Sequence, residues 1–184
     1  ITEHICGVDN VKSLCNIALM TGNIGREGTG INPMRGQNNI QGAGDSGAIP
    51  ANYPGFQPVV DLENQAKFKK LYGREIPAEV GITKVTALDR CGEQIRAMII
   101  DGENTVVSDP DRNHCEHALK SLDHLVVIDL FLTETGELAD VVFPAAGFGE
   151  ADGTCANTER RVQRLRAAVT PHAQAKPDWW IVSQ

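Results

Sequence analysis

Residues 95–104 read IRAMIIDGEN and residues 125–129 read LVVID, and these two stretches decide the fold. Each is an apolar run of strand length that ends at an aspartate, which is typical of a buried strand followed by a loop. A third apolar run is closed by Pro144, which cannot continue a sheet ladder. The predicted strands cover residues 95–100, 125–128 and 141–143.

Helical patterns separate these strands. Asp109 and Pro110 are typical of a helix start, and we predict a helix from them to Leu122, with a short helical turn over 133–138. This alternation predicts an α/β fold with a parallel, Rossmann-like sheet and flanking helices. Ligands of such sheets bind beyond the carboxyl ends of the strands. The predicted binding rim comprises residues 102–104, 129–135 and 145–153.

The chain before the sheet follows a different pattern. Residues 9–21 have apolar residues at helical spacing, with Asp9 as N-cap and a stop at Gly22. The following residues, 22–57, are rich in glycine and proline and lack periodicity, which predicts a long loop. Its amide, aromatic and arginine side chains favour ligand binding over disorder. A further helix is predicted over 61–72.

We therefore divide the chain into two parts. Residues 1–57 form a helix plus a cofactor- and substrate-binding loop at the end of a neighbouring domain. Residues 58–184 form the α/β domain segment. The apolar final stretch, Asp178–Gln184, predicts that the sequence is a piece of a longer polypeptide.

Composition excludes several function classes. The formal net charge of -7 argues against a nucleic-acid partner, because phosphate binding needs a basic face. No apolar run approaches the ~18 residues of a membrane segment. The five cysteines are scattered without a C-x-x-C pair, which argues against a zinc site and favours a reducing, cytoplasmic compartment, with a periplasmic location possible for the parent protein.

Residues 42–47 spell G-x-G-x-x-G, the spacing of a dinucleotide-binding turn. Such a turn requires a strand before it and a helix that opens at its last glycine. The residues before it do not form a buried strand pattern, and Pro50 and Pro54 exclude an ordinary long helix after it. We therefore reject a nicotinamide-binding function for this segment.

Two aspartates at element boundaries are candidates for base recognition. Asp129 ends a strand, and Asp178 precedes the final helix. A carboxylate can accept the N1–H and N2–H donors of guanine as a bidentate pair, although capping of a helix N-terminus explains each aspartate equally well. After the first strand, Gly102, Glu103 and Asn104 would present backbone N–H groups and an amide to a ligand.

Several motifs resemble the catalytic subunit of molybdenum- or tungsten-dependent formate dehydrogenases, which belong to the molybdopterin oxidoreductase superfamily. The part specific to formate dehydrogenases is the R-G-Q-N-N-x-Q-G segment within residues 30–43, together with residues 53–56. Gly44 stands where the family often has a cysteine. Superfamily-wide motifs follow in order at residues 101–104, 127–135, 139–145, 150–154 and 157–163.

The resemblance implies a bis(molybdopterin guanine dinucleotide) cofactor with molybdenum or tungsten. It implies that Arg35 holds the formate carboxylate at the metal and that Gln37 contacts a pterin. It also implies that Asn104, Asp129 and Asp178 hold the guanine dinucleotide, with Gly102 and Glu103 in the same loop. The implied reaction oxidises formate to carbon dioxide.

The resemblance also implies parts that this sequence lacks. The metal-ligating cysteine or selenocysteine and the cysteines of a [4Fe-4S] centre would lie in the remainder of the catalytic polypeptide, which would pass electrons to separate electron-transfer subunits. We therefore expect an internal segment that is inactive alone. Two alternatives remain open, namely another superfamily oxidoreductase such as a nitrate reductase, and a non-catalytic scaffold subunit of a respiratory complex.

Overall fold

The computed structural model describes Thr2, residues 4–159 and residues 161–184, so Arg160 of the last motif lies outside the described residues. The helices are α1 (Gly7–Met20), α2 (Ile40–Asp45), α3 (Leu62–Tyr72), α4 (Lys84–Asp89), α5 (Thr105–Ser108), α6 (Arg112–Lys120) and α7 (Asp178–Val182). The strands are β1 (Asn52–Tyr53), β2 (Gln57–Pro58), β3 (Ala97–Asp101), β4 (His124–Asp129), β5 (Val141–Pro144), β6 (Gly153–Ala156) and β7 (Val162–Leu165).

The three predicted strands form a parallel sheet in the order β3-β4-β5, which confirms the α/β prediction. The register pairs Ile100 with Val127 and Val127 with Val142, so the carboxyl ends of the strands lie side by side. The first strand begins at Ala97 rather than Ile95, because Ile95 forms an isolated bridge with Cys91.

The main core lies between this sheet and α6. Leu119 on the helix and Leu125 and Val127 on β4 are each at most 2% exposed. The predicted helix start at Asp109 is wrong, because α5 occupies the preceding residues and Asp109 follows its last turn. Helix α6 is capped instead by Asp111, whose carboxylate accepts from the backbone N–H of His114 at 3.0 Å. The predicted turn over 133–138 is present as a 3₁₀ turn at Gly136–Leu138.

The first helix, α1, packs its apolar side chains against little of the described chain. Leu14 and Ile17 are 67% and 57% exposed, although their spacing is that of a buried face. Its cap is Cys6, so the predicted N-cap Asp9 lies in the first turn instead. The predicted stop is confirmed, because Gly22 has a φ of 68° and the next N–H returns to Ala18.

The region predicted as a long loop contains regular structure. Helix α2 and the two-residue strands β1 and β2 lie within residues 22–57, so the prediction of an unbroken loop is wrong over those residues. Helix α3 is confirmed, with Asp61 as its cap. Phe68 on α3 packs on Tyr53 with ring centroids 4.8 Å apart, and with Val59 these rings form a second, smaller core.

Strands β6 and β7 form an antiparallel hairpin after the sheet, in which Thr154 pairs with Arg164. This hairpin was not predicted from the sequence. Along the described part of the chain, every helix is too short or too polar to cross a bilayer.

Candidate functional site

A cavity of about 710 Å³ lies between the loop that precedes α2 and the β6–β7 hairpin. Its lining brings together Arg35, Gln37 and Asp178, three of the residues singled out from the sequence. Cys155 and Asn157 of the hairpin line the opposite wall. The structure therefore joins the R-G-Q-N-N segment to the start of α7, although they are far apart in sequence.

Arg35 presents a largely free guanidinium to this cavity. Its Nη2 atom donates to Oε1 of Gln41 at 3.4 Å, and Nε2 of Gln41 donates to Oδ1 of Asp45 at 3.1 Å. The ion pairs formed among the described residues do not include Arg35. Since a guanidinium carries five N–H donors, most remain available for an anion.

Three carboxylates gather at the carboxyl end of the sheet. Asp101 and Asp129 are the last residues of β3 and β4, and Asp178 is the first residue of α7. The segment before α7 reaches this edge because Lys176 bonds to the chain on either side of Ala145, donating to the Pro144 carbonyl at 3.1 Å and accepting from the Ala146 N–H at 2.8 Å. Asp101 was missed from the sequence, although it ends an apolar run of strand length as Asp129 does.

Two of these carboxylates, Asp178 and Asp101, have a raised pKa. Burial raises the pKa of Asp178, and the negative charges of Asp101 and Asp129 raise it further. Burial likewise raises the pKa of Asp101, with a smaller contribution from Asp129. The cluster is thus poised to accept hydrogen bonds or positive charge from a ligand.

One carboxylate oxygen of Asp178 lacks a hydrogen-bond donor in the described part of the chain. This Oδ1 atom is buried. Helix α7 has Pro177 at its N-cap position and no side-chain cap, so Asp178 does not cap it. No helix begins at Asp129, and its Oδ1 accepts from the Leu130 N–H at 2.6 Å. Helix capping therefore explains neither aspartate. Because a buried acceptor without a donor is unfavourable, a ligand with N–H groups would stabilise Asp178.

The Gly102–Asn104 loop is held by its own contacts. Gly102 adopts a φ of 66° and donates its N–H to the Ile128 carbonyl at 2.9 Å. The Glu103 carboxylate accepts from Lys84 Nζ at 2.8 Å and from the Ser108 hydroxyl at 2.7 Å. Burial acts to raise the pKa of Glu103, but these two hydrogen bonds outweigh it and the pKa lies below its usual range. The Glu103 side chain is thus engaged within the protein.

Asn104 is likewise engaged. Its amide nitrogen donates to Glu134 at 2.7 Å, and its oxygen accepts from the Thr135 hydroxyl at 2.9 Å. That hydroxyl also accepts from the Val106 N–H at 3.0 Å, and Thr135 is 0% exposed. Asn104 therefore joins the loops that follow β3 and β4. A direct contact between Asn104 and a cofactor stays a prediction.

The G-x-G-x-x-G residues have packing functions. Helix α2 spans Ile40–Asp45 and so includes the first two glycines, which a dinucleotide-binding turn would place before the helix. A Cβ on Gly42 would lie 2.0 Å from Oδ1 of Asn39, and a Cβ on Gly44 would lie 2.9 Å from the Phe56 ring. Gly47 has a φ of 84°, which favours glycine. The spacing therefore reflects local packing, and the absence of a side chain at Gly44 makes room for Phe56.

Comparison with known proteins gives a consistent result. The family model described as "Molybdopterin oxidoreductase" matches residues 1–184. The F420-dependent formate dehydrogenase subunit alpha of Methanocaldococcus jannaschii is 53% identical over 184 residues, covering 100% of this chain and 27% of that protein. Formate dehydrogenase 2 subunit alpha of Methanococcus maripaludis, also F420-dependent, is 54% identical over 183 residues, covering 99% of this chain and 27% of that protein.

A bacterial formate dehydrogenase also matches the whole of this chain. Formate dehydrogenase H of Escherichia coli is 40% identical over 187 residues, covering 100% of this chain and 26% of that protein. The chain thus spans about a quarter of the length of these curated relatives.

Proposed function

The chain belongs to the molybdopterin oxidoreductase family, and we propose that it is a segment of the catalytic subunit of a formate dehydrogenase, which oxidises formate to carbon dioxide, a proton and two electrons. The observation that carries this proposal is the cavity in which Arg35 and Gln37 share a lining with Asp178. That cavity combines a cation for a carboxylate substrate with an acceptor for a nucleotide base.

The residues at the sheet end fit a guanine-bearing cofactor. We propose a bis(molybdopterin guanine dinucleotide) with molybdenum or tungsten, whose guanine N–H donors would satisfy the buried Oδ1 of Asp178. Asp129 and Asp101 lie beside it at the sheet end, and Gln37 lines the same cavity, where it would contact a pterin. When bound, the cofactor supplies the metal centre that takes up the electrons of the reaction.

Arg35 would bind and orient the formate carboxylate. Its guanidinium offers paired N–H donors that match a carboxylate, and Gln41 occupies only one side of it. The metal-ligating residue and a [4Fe-4S] centre would come from the rest of the polypeptide, and electron-transfer subunits would receive the electrons in the cytoplasm. Retention of this arginine also argues against a purely structural copy, which has no use for a substrate-binding cation.

An assay of the full-length parent enzyme tests the proposal. We expect formate-dependent dye reduction by the wild type and a loss of about 100-fold or more in kcat/KM for Arg35→Lys, because an ammonium cannot make the paired contact. The matched control is Arg96→Lys, whose guanidinium forms an exposed ion pair with Asp123. Activity with nitrate and none with formate would contradict the proposal and favour the other superfamily reaction.

The isolated chain provides a second test. We expect no formate-dependent dye reduction from the purified 184-residue chain, because the ligand of the metal would come from the rest of the polypeptide. Dye reduction by this chain alone would contradict that expectation.

A further inference from the structure

We propose that Asn39 is a positioning residue that fixes Arg35 in the substrate cavity by clamping its loop to the β6–β7 hairpin. This inference rests on the proposed function, because it takes Arg35 as the residue that binds formate. Asn39 lies between Arg35 and α2, and it combines a left-handed backbone with a side chain that bonds across the chain.

The first observation is a pair of hydrogen bonds between distant parts of the sequence. The Asn39 amide nitrogen donates to the Thr154 carbonyl at 3.1 Å, and its oxygen accepts from the Ala156 N–H at 2.9 Å. A carbonyl and the N–H two residues later lie on the same edge of a strand. The carboxamide, with one donor and one acceptor side by side, therefore takes the place of a neighbouring strand.

The second observation is that these two hydrogen bonds from Asn39 to Thr154 and Ala156, which we call the clamp, join the two walls of the cavity. Arg35 and Gln37 lie on the loop wall, and Cys155 and Asn157 lie on the hairpin wall. The clamp contacts the hairpin at the residues that flank Cys155. Loss of the clamp would let these walls move relative to each other.

The third observation connects the clamp to the guanidinium itself. Asn39 is the N-cap of α2, with a φ of 63°, so its position sets where that helix begins. Gln41 in the first turn of α2 accepts from Arg35 Nη2, and Asp45 at the end of α2 accepts from the Gln41 amide. The path from β6 to Arg35 therefore consists of direct contacts and one short helix.

The fourth observation explains why glycine follows. A Cβ on Gly42 would lie 2.0 Å from Oδ1 and 3.1 Å from Nδ2 of Asn39. Alanine at this position would displace the carboxamide while leaving both of its partners in place. Two different substitutions should consequently disrupt one and the same clamp.

The test uses the full-length parent enzyme with Asn39→Gly, Gly42→Ala and the double variant. Glycine tolerates the left-handed backbone, so Asn39→Gly removes the carboxamide without adding strain. We expect each single variant to raise the KM for formate about 10-fold or more, because Arg35 is no longer held in place. We expect kcat per bound metal to change less than about threefold and the double variant to be no worse than the more severe single variant.

The matched control is Asn113→Ala, which removes an exposed carboxamide on α6 that forms no hydrogen bond in the described part of the chain. Hydrogen exchange of peptides covering residues 33–42 and 154–157 gives a readout that does not depend on activity. Both peptides should exchange faster in Asn39→Gly and Gly42→Ala and remain unchanged in the control.

The outcomes separate the two proposals. Faster exchange with an unchanged KM would show that the clamp is structural only and would overturn the positioning role. Additive effects of the two substitutions, or unchanged exchange, would overturn the clamp itself. A wild type that fails to oxidise formate would instead refute the proposed function, and the exchange data would still decide whether Asn39 fixes the Arg35 loop.

Discussion

The parallel sheet and the loop that carries Arg35 are held by different kinds of contact. In the core between the sheet and α6, Leu119, Leu125 and Val127 are at most 2% exposed, and regular backbone pairing continues along three strands. In the loop, the fixed points are single directional contacts such as the Asn39 carboxamide on β6. The sheet is therefore stabilised by burial, whereas the loop depends on geometry at a few atoms.

The largest expected effect lies in the sheet core. Leu119→Ala removes a side chain that is 2% exposed and should lower the free energy of unfolding by about 2–5 kcal/mol, because the cavity left behind cannot fully collapse. Native-state hydrogen exchange at the Val127 amide in the parent enzyme measures the loss. Leu132→Ala is the control, at a side chain that is 68% exposed. Equal losses in the two variants would show that burial does not dominate the sheet.

A backbone effect in the loop region comes next. Gly47→Ala places a Cβ 2.8 Å from the Pro54 nitrogen at a φ of 84°, and we expect a loss of about 2–3 kcal/mol from strain and crowding together. Gly25→Ala isolates the conformational part, because Gly25 has a φ of 76° and open space around it. In thermal unfolding, the melting temperature of Gly47→Ala should be lower than that of Gly25→Ala. The reverse order would mean that packing around Gly47 is loose.

A smaller effect is expected at the contact between the loops after β3 and β4. Thr135→Val removes the hydroxyl that binds Asn104 and Val106, leaving the buried Val106 N–H and the part-buried Asn104 amide oxygen without that partner. We expect a loss of about 1–2 kcal/mol in local stability, seen as faster exchange of the Val106 amide. The exposed Thr170→Val should leave that exchange rate unchanged, and an unchanged rate in Thr135→Val would contradict the structural role of Asn104.

Much of the sheet could be predicted from the sequence, and most of the loop could not. Buried parallel strands are marked by their own apolar residues, so the 125–128 run and the aspartate after it were recognisable locally. Helix α2 contains two glycines, which have low helix propensity, so the sequence did not predict it. The glycines are required because a Cβ at either one would meet Asn39 or Phe56. A local pattern cannot reveal a contact that joins residues 39 and 156.

The site divides in the same way. Asp129 and Asp178 could be selected because each sits at an element boundary, but their grouping with Asp101 depends on the sheet register and on the Ala145–Lys176 bridge. The spacing in α1 predicted an apolar face, of which Val11 and Leu14 are exposed in the described chain. Periodicity identifies an apolar face without identifying what covers it.

The smallest expected effect concerns pH and Asp178. Burial and the charges of Asp101 and Asp129 raise its pKa in the folded state, so the folded protein binds this proton more tightly than the unfolded chain. The free energy of unfolding therefore falls as the pH rises from the pKa of Asp178 in the unfolded chain to its higher pKa in the folded protein. Above the higher value, the destabilisation by ionised Asp178 is fully present. Asp178→Asn removes the charge and should be more stable than the wild type at neutral pH.

That advantage should vanish as the pH falls below about 3.9, where the carboxyl is protonated in both states. Thermal unfolding of the cofactor-free parent enzyme across this pH range measures the difference, because a bound guanine would supply the donors that Asp178 lacks among the described residues. Asp123→Asn serves as the control, at an exposed carboxylate paired with Arg96. A constant difference between Asp178→Asn and the wild type at all pH values would show that ionisation of Asp178 carries no penalty.

The distribution of charge in the 710 Å³ cavity has a consequence for any elongated ligand. Arg35 contributes a positive potential to the lining, and Asp178, backed by Asp101 and Asp129, contributes a negative one. An anionic group is drawn to the first and repelled by the second, and a donor-rich base is guided the opposite way. The electrostatic potential of the cavity therefore orients an elongated ligand before the ligand makes close contacts with the lining.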